Sequence, residues 1–228
     1  MSAARARSTP GAVYDAHCTR CPRLAAFLER TRREHPDYFA HPVPSFGAAR
    51  PRILIVGLAP GMHGANRTGR PFTGDHAGIL LYRTLHEAGL ATGAVSHSAR
   101  DRLRLLNTRI ANAVKCVPPA NRPLPVEIRR CNAFLAAEIH ELSQVAVYLA
   151  LGRVAHAAVL MALGLSSGRY PFAHGREHRL DATHWLLDSY HCSRYNTATR
   201  RLTPAMFEAV LSRACEHAGL PHPGRAAG

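Results

Sequence analysis

Two nearly unbroken apolar runs stand out against the mixed patterning of this chain. Arg52–Gly57 reads RILIVG and Val145–Gly152 reads VAVYLALG, and each stops at a glycine. Runs of this kind predict strands buried on both faces, as in a parallel sheet. Further strands are predicted over about 107–117 and over His184–Tyr190 (HWLLDSY). Between them the apolar spacing shifts to the helical period. One helix is expected after Cys21, where Pro22 suits a first turn and Leu24, Phe27 and Leu28 form a stripe opposite Arg and Glu. Others are expected over 76–90, from Pro125 through Leu142 (Ile128, Leu135, Ile139 and Leu142 in step), over 153–163, and from Thr203–Pro204 to about 218. The Pro- and His-rich stretch 35–51 reads as loop, and the stretch up to about 182 as an irregular or antiparallel arm.

Strand and helix alternate four times, which predicts an α/β fold of three layers, α/β/α, with a central parallel sheet of about four strands. One domain is expected over 17–219, between flexible tails at 1–16 (basic, rich in Ala, Arg, Ser, Pro and Gly) and 220–228. Ligands of open α/β sheets bind at the carboxyl ends of the strands. In this chain those ends hold the least ordinary sequence: the loop after Gly57, the segment Asn112–Cys116, and His191.

Composition narrows the partners. The 228 residues are 46% hydrophobic and 19% charged, which allows a sizeable core and argues against disorder, collagen-like repeats or a coiled coil. Lys+Arg 29 against Asp+Glu 15 gives a net charge of +14, and Lys115 is the only lysine. Arginine forks match phosphate oxygens, so a polyanion and above all nucleic acid leads the partners, although a genome that prefers arginine codons produces the same balance. No apolar run approaches the roughly 18–20 residues that span a bilayer, and MSAARARSTPGAVYDAH has no signal-peptide core. The reading is a cytoplasmic protein without membrane partners. In that compartment six cysteines point to metal ligands, catalytic groups or buried thiols rather than disulfides.

Four of those cysteines form a candidate ligand set: Cys18-Thr-Arg-Cys21, then Cys116 and Cys131. The wide spacing of the last two is unlike a zinc ribbon and tilts toward an iron–sulfur cluster, with unrelated buried thiols as the alternative. The loop Val56–Gly78 holds six glycines between a strand and a helix, yet contains neither GxxxxGK[ST] nor GxGxxG, so a nucleotide cofactor is weakly indicated. Within it Asp75 reads either as a helix N-cap or as a carboxylate facing a cleft, and Phe72 either as core packing or as a flat face for a base. His191, beside Ser193, Arg194 and Asn196 at a strand end, reads as a cleft residue or a satisfied buried histidine.

Four separated elements then fall into a familiar order. GLAPGMHGANRTGRPFTGDHAG (Gly57–Gly78), NAVKCVPPANRP (Asn112–Pro123), cysteines 18, 21, 116 and 131, and YHCSRYNTATRRLT (Tyr190–Thr203) together resemble the family 5 uracil-DNA glycosylases, from about Cys18 to Glu216. The resemblance implies an α/β/α glycosylase fold and a [4Fe-4S] cluster on Cys18, Cys21, Cys116 and Cys131. It also implies a monofunctional enzyme that hydrolyses the N-glycosidic bond of uracil in DNA and so initiates base-excision repair, with hypoxanthine and other damaged bases as further substrates. Phe72 then corresponds to the aromatic that stacks on the extruded base, Asn112 to the amide that reads its Watson–Crick edge, and His191 to the histidine of the second catalytic motif. Family 4 enzymes carry a Glu where this chain has Leu58, which leaves Asp75 as the carboxylate to orient water. Gly57, Ala59, Gly61 and Asn121 complete the expected base-binding set, and Arg67, Arg70, Ser193 and Arg194 the DNA contacts. His191-Cys192-Ser193 replaces the common His-Pro-Ser, and Cys192 and Cys215 lie outside the ligand pattern. The expected partner is DNA, double-stranded with G·U-type mismatches or single-stranded. The expected protein is a monomer in the bacterial or archaeal cytoplasm, associated with the nucleoid. Two other readings stay open, a non-catalytic iron–sulfur nucleic-acid-binding module of the same fold and a nucleotide hydrolase using the glycine loop.

Overall fold

The two apolar runs become neighbours at the centre of one sheet in the computed structural model, which describes residues 13–221. The greater part of each predicted tail therefore lies outside the described residues. Strands β1 (Phe46–Gly47), β2 (Ile53–Gly57), β3 (Thr108–Asn112), β4 (Val147–Leu151), β5 (Glu177–Arg179) and β6 (Trp185–Ser189) form a six-stranded sheet of order β1-β3-β2-β4-β6-β5. The inner four pair parallel, as the sequence predicts, and an antiparallel strand closes each edge. The helices are α1 (Pro22–Glu34), α2 (Ala65–Thr68), α3 (His76–Glu87), α4 (Pro125–Glu141), α5 (Arg153–Ala162), α6 (Arg194–Ala198) and α7 (Pro204–Ala218).

Side-chain alternation along the inner strands feeds two cores. Ile53, Ile55, Leu149 and Leu187 pack with Leu81 and Leu85 of α3 and Phe207 and Leu211 of α7. Leu54, Val56, Tyr148 and Leu186 point the other way, onto Leu135 of α4 and Val159 of α5. Each such side chain stabilises by about 1.5–3 kcal/mol when fully buried, which is why strands this apolar are covered on both faces. A third cluster joins Leu24 and Leu28 of α1 to Val114, Val117 and Phe134, with Cys116 and Cys131 among them.

Three details depart from the sequence reading. The sheet has six strands instead of about four, because the edge strands are only two and three residues long and carry no apolar run to betray them. Strand β3 ends at Asn112, where the chain turns to give Ala113 N–H to Gly57 O (2.9 Å) and Val114 N–H to Leu58 O (3.0 Å), so Cys116 sits in the following bend and not at a strand end. The turns α2 and α6 are too short to show a period. At Gly47, φ is +135° and an added Cβ would stand 2.4 Å from Thr108 O, so only glycine lets β1 close against β3.

Register decides what meets at the sheet's carboxyl edge. Gly57 pairs with Asn112, and Leu151 with Ser189, two residues before His191. Among the described residues no helix is long and apolar enough to cross a membrane.

Candidate active site

The adjacency of Gly57 and Asn112 builds the floor of the site. A Cβ on Gly57 would lie 2.6 Å from Asn112 Oδ1 and 2.7 Å from Phe72 Cζ, so the missing side chain is what lets amide and ring approach. Asn112 is 4% exposed and its Oδ1 has no hydrogen-bond partner. A buried polar atom left unpaired costs about 1–3 kcal/mol, and such orphans ask for an explanation, here a ligand donor. Phe72 adopts φ +57°, a conformation costly for a bulky residue. Its neighbours impose that strain: Tyr82 Oη donates to Pro71 O at 2.7 Å, and a Cβ on Gly78 would fall 1.8 Å from Phe72 O, so α3 packs directly on this backbone. The Phe72 ring lies 5.7 Å from the His191 ring, inclined by 29°.

Asp75 fills both roles that its sequence allows. As N-cap of α3 its Oδ1 accepts from Gly78 N–H at 3.1 Å. Its other oxygen, Oδ2, faces Gly61 and Gly64, where a Cβ on Gly64 would intrude to 2.6 Å. Burial pushes the Asp75 carboxyl above the usual aspartate range, against the opposing pull of the Gly78 and Ala77 amides. His191 shows the complementary effect: burial lowers its pKa to about 4, so at neutral pH the ring is a neutral imidazole with one N–H to give. The His191 carbonyl accepts from Asn196 Nδ2 at 2.8 Å, and Ser193 caps α6 through Asn196 N–H at 3.4 Å, which fixes the loop that carries the ring.

These groups surround one cavity of about 430 Å³. Ala59, Gly61, Phe72, Asp75, Asn112, Asn121, His191, Ser193 and Arg194, all singled out in the sequence, line it. Leu58 also lines it, on the wall where a family 4 enzyme would carry its Glu. His76 and Ala77 line it too and were missed by the sequence reading. His76 Nε2 meets Thr197 Oγ1 at 2.9 Å and ties α3 to α6 across the rim; its place beside Asp75 was the one available signal. Gly57 stands behind the wall rather than on it. Arg67 is exposed in α2, outside the cavity lining. Arg70 requires a correction: it is 4% exposed, its Nη1 bonds Asp101 Oδ1 at 2.6 Å and Ser96 Oγ at 2.9 Å, and its guanidinium covers Phe46 at 4.2 Å. A buried arginine needs such partners, and these occupy the fork that a DNA phosphate would use.

The four candidate ligand cysteines come together at the third core cluster. Cys18, Cys21, Cys116 and Cys131 line one small hollow with Leu24, Val114 and Phe134, and none is in a disulfide. Burial raises the Cys116 thiol pKa well above its ordinary value, and the charges of Cys131, Cys18 and Cys21 push it further, so the four sulfurs feel one another. Such a set is poorly stable as bare thiolates and well suited to a positive inorganic group. Lys115 N–H already donates to Cys131 Sγ at 3.3 Å.

Known proteins share much of this sequence. A sequence model described as the Uracil DNA glycosylase superfamily matches residues 44–214. The type-5 uracil-DNA glycosylase of Thermus thermophilus is 49% identical over 209 residues, 89% of this chain and 94% of that protein. Its counterpart in Mycobacterium bovis is 44% identical over 211 residues (89% and 79%), and that of Pyrobaculum aerophilum 38% over 221 residues (92% and 96%).

Proposed function

The chain belongs to the uracil DNA glycosylase superfamily, with type-5 members as its relatives, and on that footing we propose that the cavity takes a uracil swung out of DNA and releases it by hydrolysis. The enzyme is thus a hydrolase of N-glycosyl bonds. The observation that carries the site assignment is the buried Asn112 amide, its Oδ1 without a partner, in the cavity wall where Phe72, Asp75 and His191 converge. Uracil offers a ring N–H and carbonyl oxygens along its Watson–Crick edge, which pair with an amide acceptor and donor. Phe72 offers the flat face on which the base stacks.

Breaking the bond between the sugar C1′ and the base N1 leaves the electron pair on the base and positive character on the sugar. Neutral His191 donates its N–H to the base carbonyl oxygen where that charge gathers, an interaction whose loss costs about 3–4 kcal/mol at comparable oxyanion sites. Asp75 Oδ2 orients the water that adds to C1′ and accepts its proton; the uracil anion takes up a proton from solvent as Asp75 gives its own back, leaving free uracil and an abasic site. Outside the cavity, exposed Arg194 and Arg67 hold flanking phosphates. Tyr195, 69% exposed on α6 next to Arg194, is placed to enter the stack that the base leaves. The sequence did not single it out, since an isolated tyrosine in a polar loop carries no pattern.

Cys18, Cys21, Cys116 and Cys131 hold a [4Fe-4S] cluster in this reading. When bound, the cluster supplies cross-linking, not redox chemistry: it ties the start of α1, the bend after β3 and α4 into one unit beside the cavity. The remaining details are proposed with the same site. One domain over 17–219 acts as a monomer on G·U mismatches in the cytoplasm. Because apolar Leu58 lines the cavity in place of a carboxylate, hypoxanthine is accepted besides uracil.

Incubation with duplexes bearing uracil or hypoxanthine, followed by cleavage at abasic sites, tests the function. Binding without release of free base would overturn catalysis in favour of a non-catalytic module. Release of uracil alone would remove the broader substrate range.

A further inference from the structure

A second cluster of donors lies under the loop that carries His191, away from the thiols and outside the cavity. Asp188 of β6 is 0% exposed, and its two ion-pair partners are both histidines: His156 of α5 and His178 of β5, themselves 3% and 8% exposed. His156 Nδ1 stands 2.7 Å from Asp188 Oδ1, and His178 Nε2 stands 3.2 Å from Asp188 Oδ2. The other ring nitrogen of His156, Nε2, meets Tyr170 O at 2.8 Å. A carbonyl can only accept, so Nε2 carries a hydrogen and the Nδ1 position points at a carboxylate oxygen. At 2.7 Å the two atoms share a proton, carried by the ring or by the carboxyl, and a metal ion takes that proton's place only as the pair opens to the wider spacing of two metal ligands.

The geometry adds a third donor: one ligand atom from each of the three residues lies within 4.8 Å of the others, so one ion can draw on all three where a proton serves a single pair. The Tyr170 carbonyl holds the far nitrogen of His156 as outer partners of metal-bound histidines do, fixing the tautomer that leaves Nδ1 free to ligate. Two imidazoles and one carboxylate favour zinc over the hard cations, which prefer all-oxygen sites.

We propose that His156, His178 and Asp188 form a metal site for a zinc-class divalent ion, distinct from the cysteine set, that clamps the end of β6 to β5 and α5 beneath the His191 loop. Zinc enters as the shared proton leaves for solvent, so uptake is accompanied by proton release and weakens as pH falls.

The test uses the iron-replete full chain, stripped of loosely held metal with a mild chelator and then titrated with zinc. Zinc and iron are measured in the same sample by elemental analysis. The expected result is one zinc per chain with iron retained, a higher thermal midpoint, and affinity at least about 100-fold weaker in His178→Gln, since loss of a ligand exceeds the 10–100-fold effect of losing an outer partner. Should the variant misfold, X-ray absorption at the zinc edge of the unaltered chain decides: nitrogen and oxygen at about 2.0–2.2 Å support the site, whereas sulfur at about 2.3 Å places the ion on the thiols and overturns it. Absence of bound zinc, zinc gained only as iron is lost, or unchanged affinity in folded His178→Gln would each overturn it as well.

Discussion

Asp75 uses one oxygen to start a helix and, in the proposed mechanism, keeps the other for water, so two substitutions should separate its jobs. Asparagine caps helices about as well as aspartate, whereas alanine at an N-cap costs roughly 1 kcal/mol. Asp75→Asn therefore keeps the bond from Gly78 N–H and removes a charge whose burial the fold resists. Its stability at neutral pH should match or slightly exceed that of the parent chain. Asp75→Ala should lose about 1 kcal/mol, a fall of roughly 2–4 °C in thermal midpoint for a chain of this length. Catalysis should respond to both alike. Loss of a positioned general base costs about 10²–10⁴-fold, equivalent to about 3–5 kcal/mol of barrier. The assay is single-turnover release of uracil from a G·U duplex at saturating enzyme, with duplex affinity measured alongside. Parental rates in Asp75→Asn with intact binding would remove the carboxylate from the chemistry. Equal stability of both variants with the parent would refute the capping argument.

The pH profile of the same single-turnover rate should show no inflection near the ordinary histidine range, because His191 stays neutral down to about 4. Its acid limb should follow the raised Asp75 pKa, with activity falling as the carboxylate is protonated; an inflection near pH 6.5 that disappears in His191→Asn would contradict this. The depressed His191 pKa also implies folding stability lost as pH falls from about 6.5 toward 4, since the unfolded chain binds that proton first. Gly57→Ala should drive the Asn112 amide and the Phe72 ring apart, lowering uracil release at least tenfold while costing about 1–3 kcal/mol of stability from overpacking; parental rates in a folded variant would refute the close-approach argument. Tyr195→Ala should slow release from duplex by about tenfold or more and leave single-stranded substrate little changed, because only the duplex charges a few kcal/mol for unstacking. Equal losses on both substrates would assign the ring to the cavity itself. Cys18→Ser should yield colourless, poorly soluble protein, and stable iron-free active chain would contradict the cluster assignment.

Much of this arrangement was written along the chain. The runs at Arg52–Gly57 and Val145–Gly152 determine two central strands, because segments that apolar are stable only when covered on both faces. The glycine-rich loop, Asp75, Asn112 and His191 were visible as polar or flexible residues at strand ends, where open sheets bind ligands. Other features depended on partners distant in sequence. Arg70 looked like a phosphate ligand until Asp101 and Phe46, folded against it, neutralised and covered it. The edge strands took their form from hydrogen bonds offered by β3 and β6, not from any pattern of their own. His156, His178 and Asp188 come from a helix and two strands, and no spacing announces them. Periodicity reports whether a residue faces inward, since burial is a property of each residue's own face; which polar atoms then meet there is set by the register of segments far apart in the chain, and only the folded sheet fixes that.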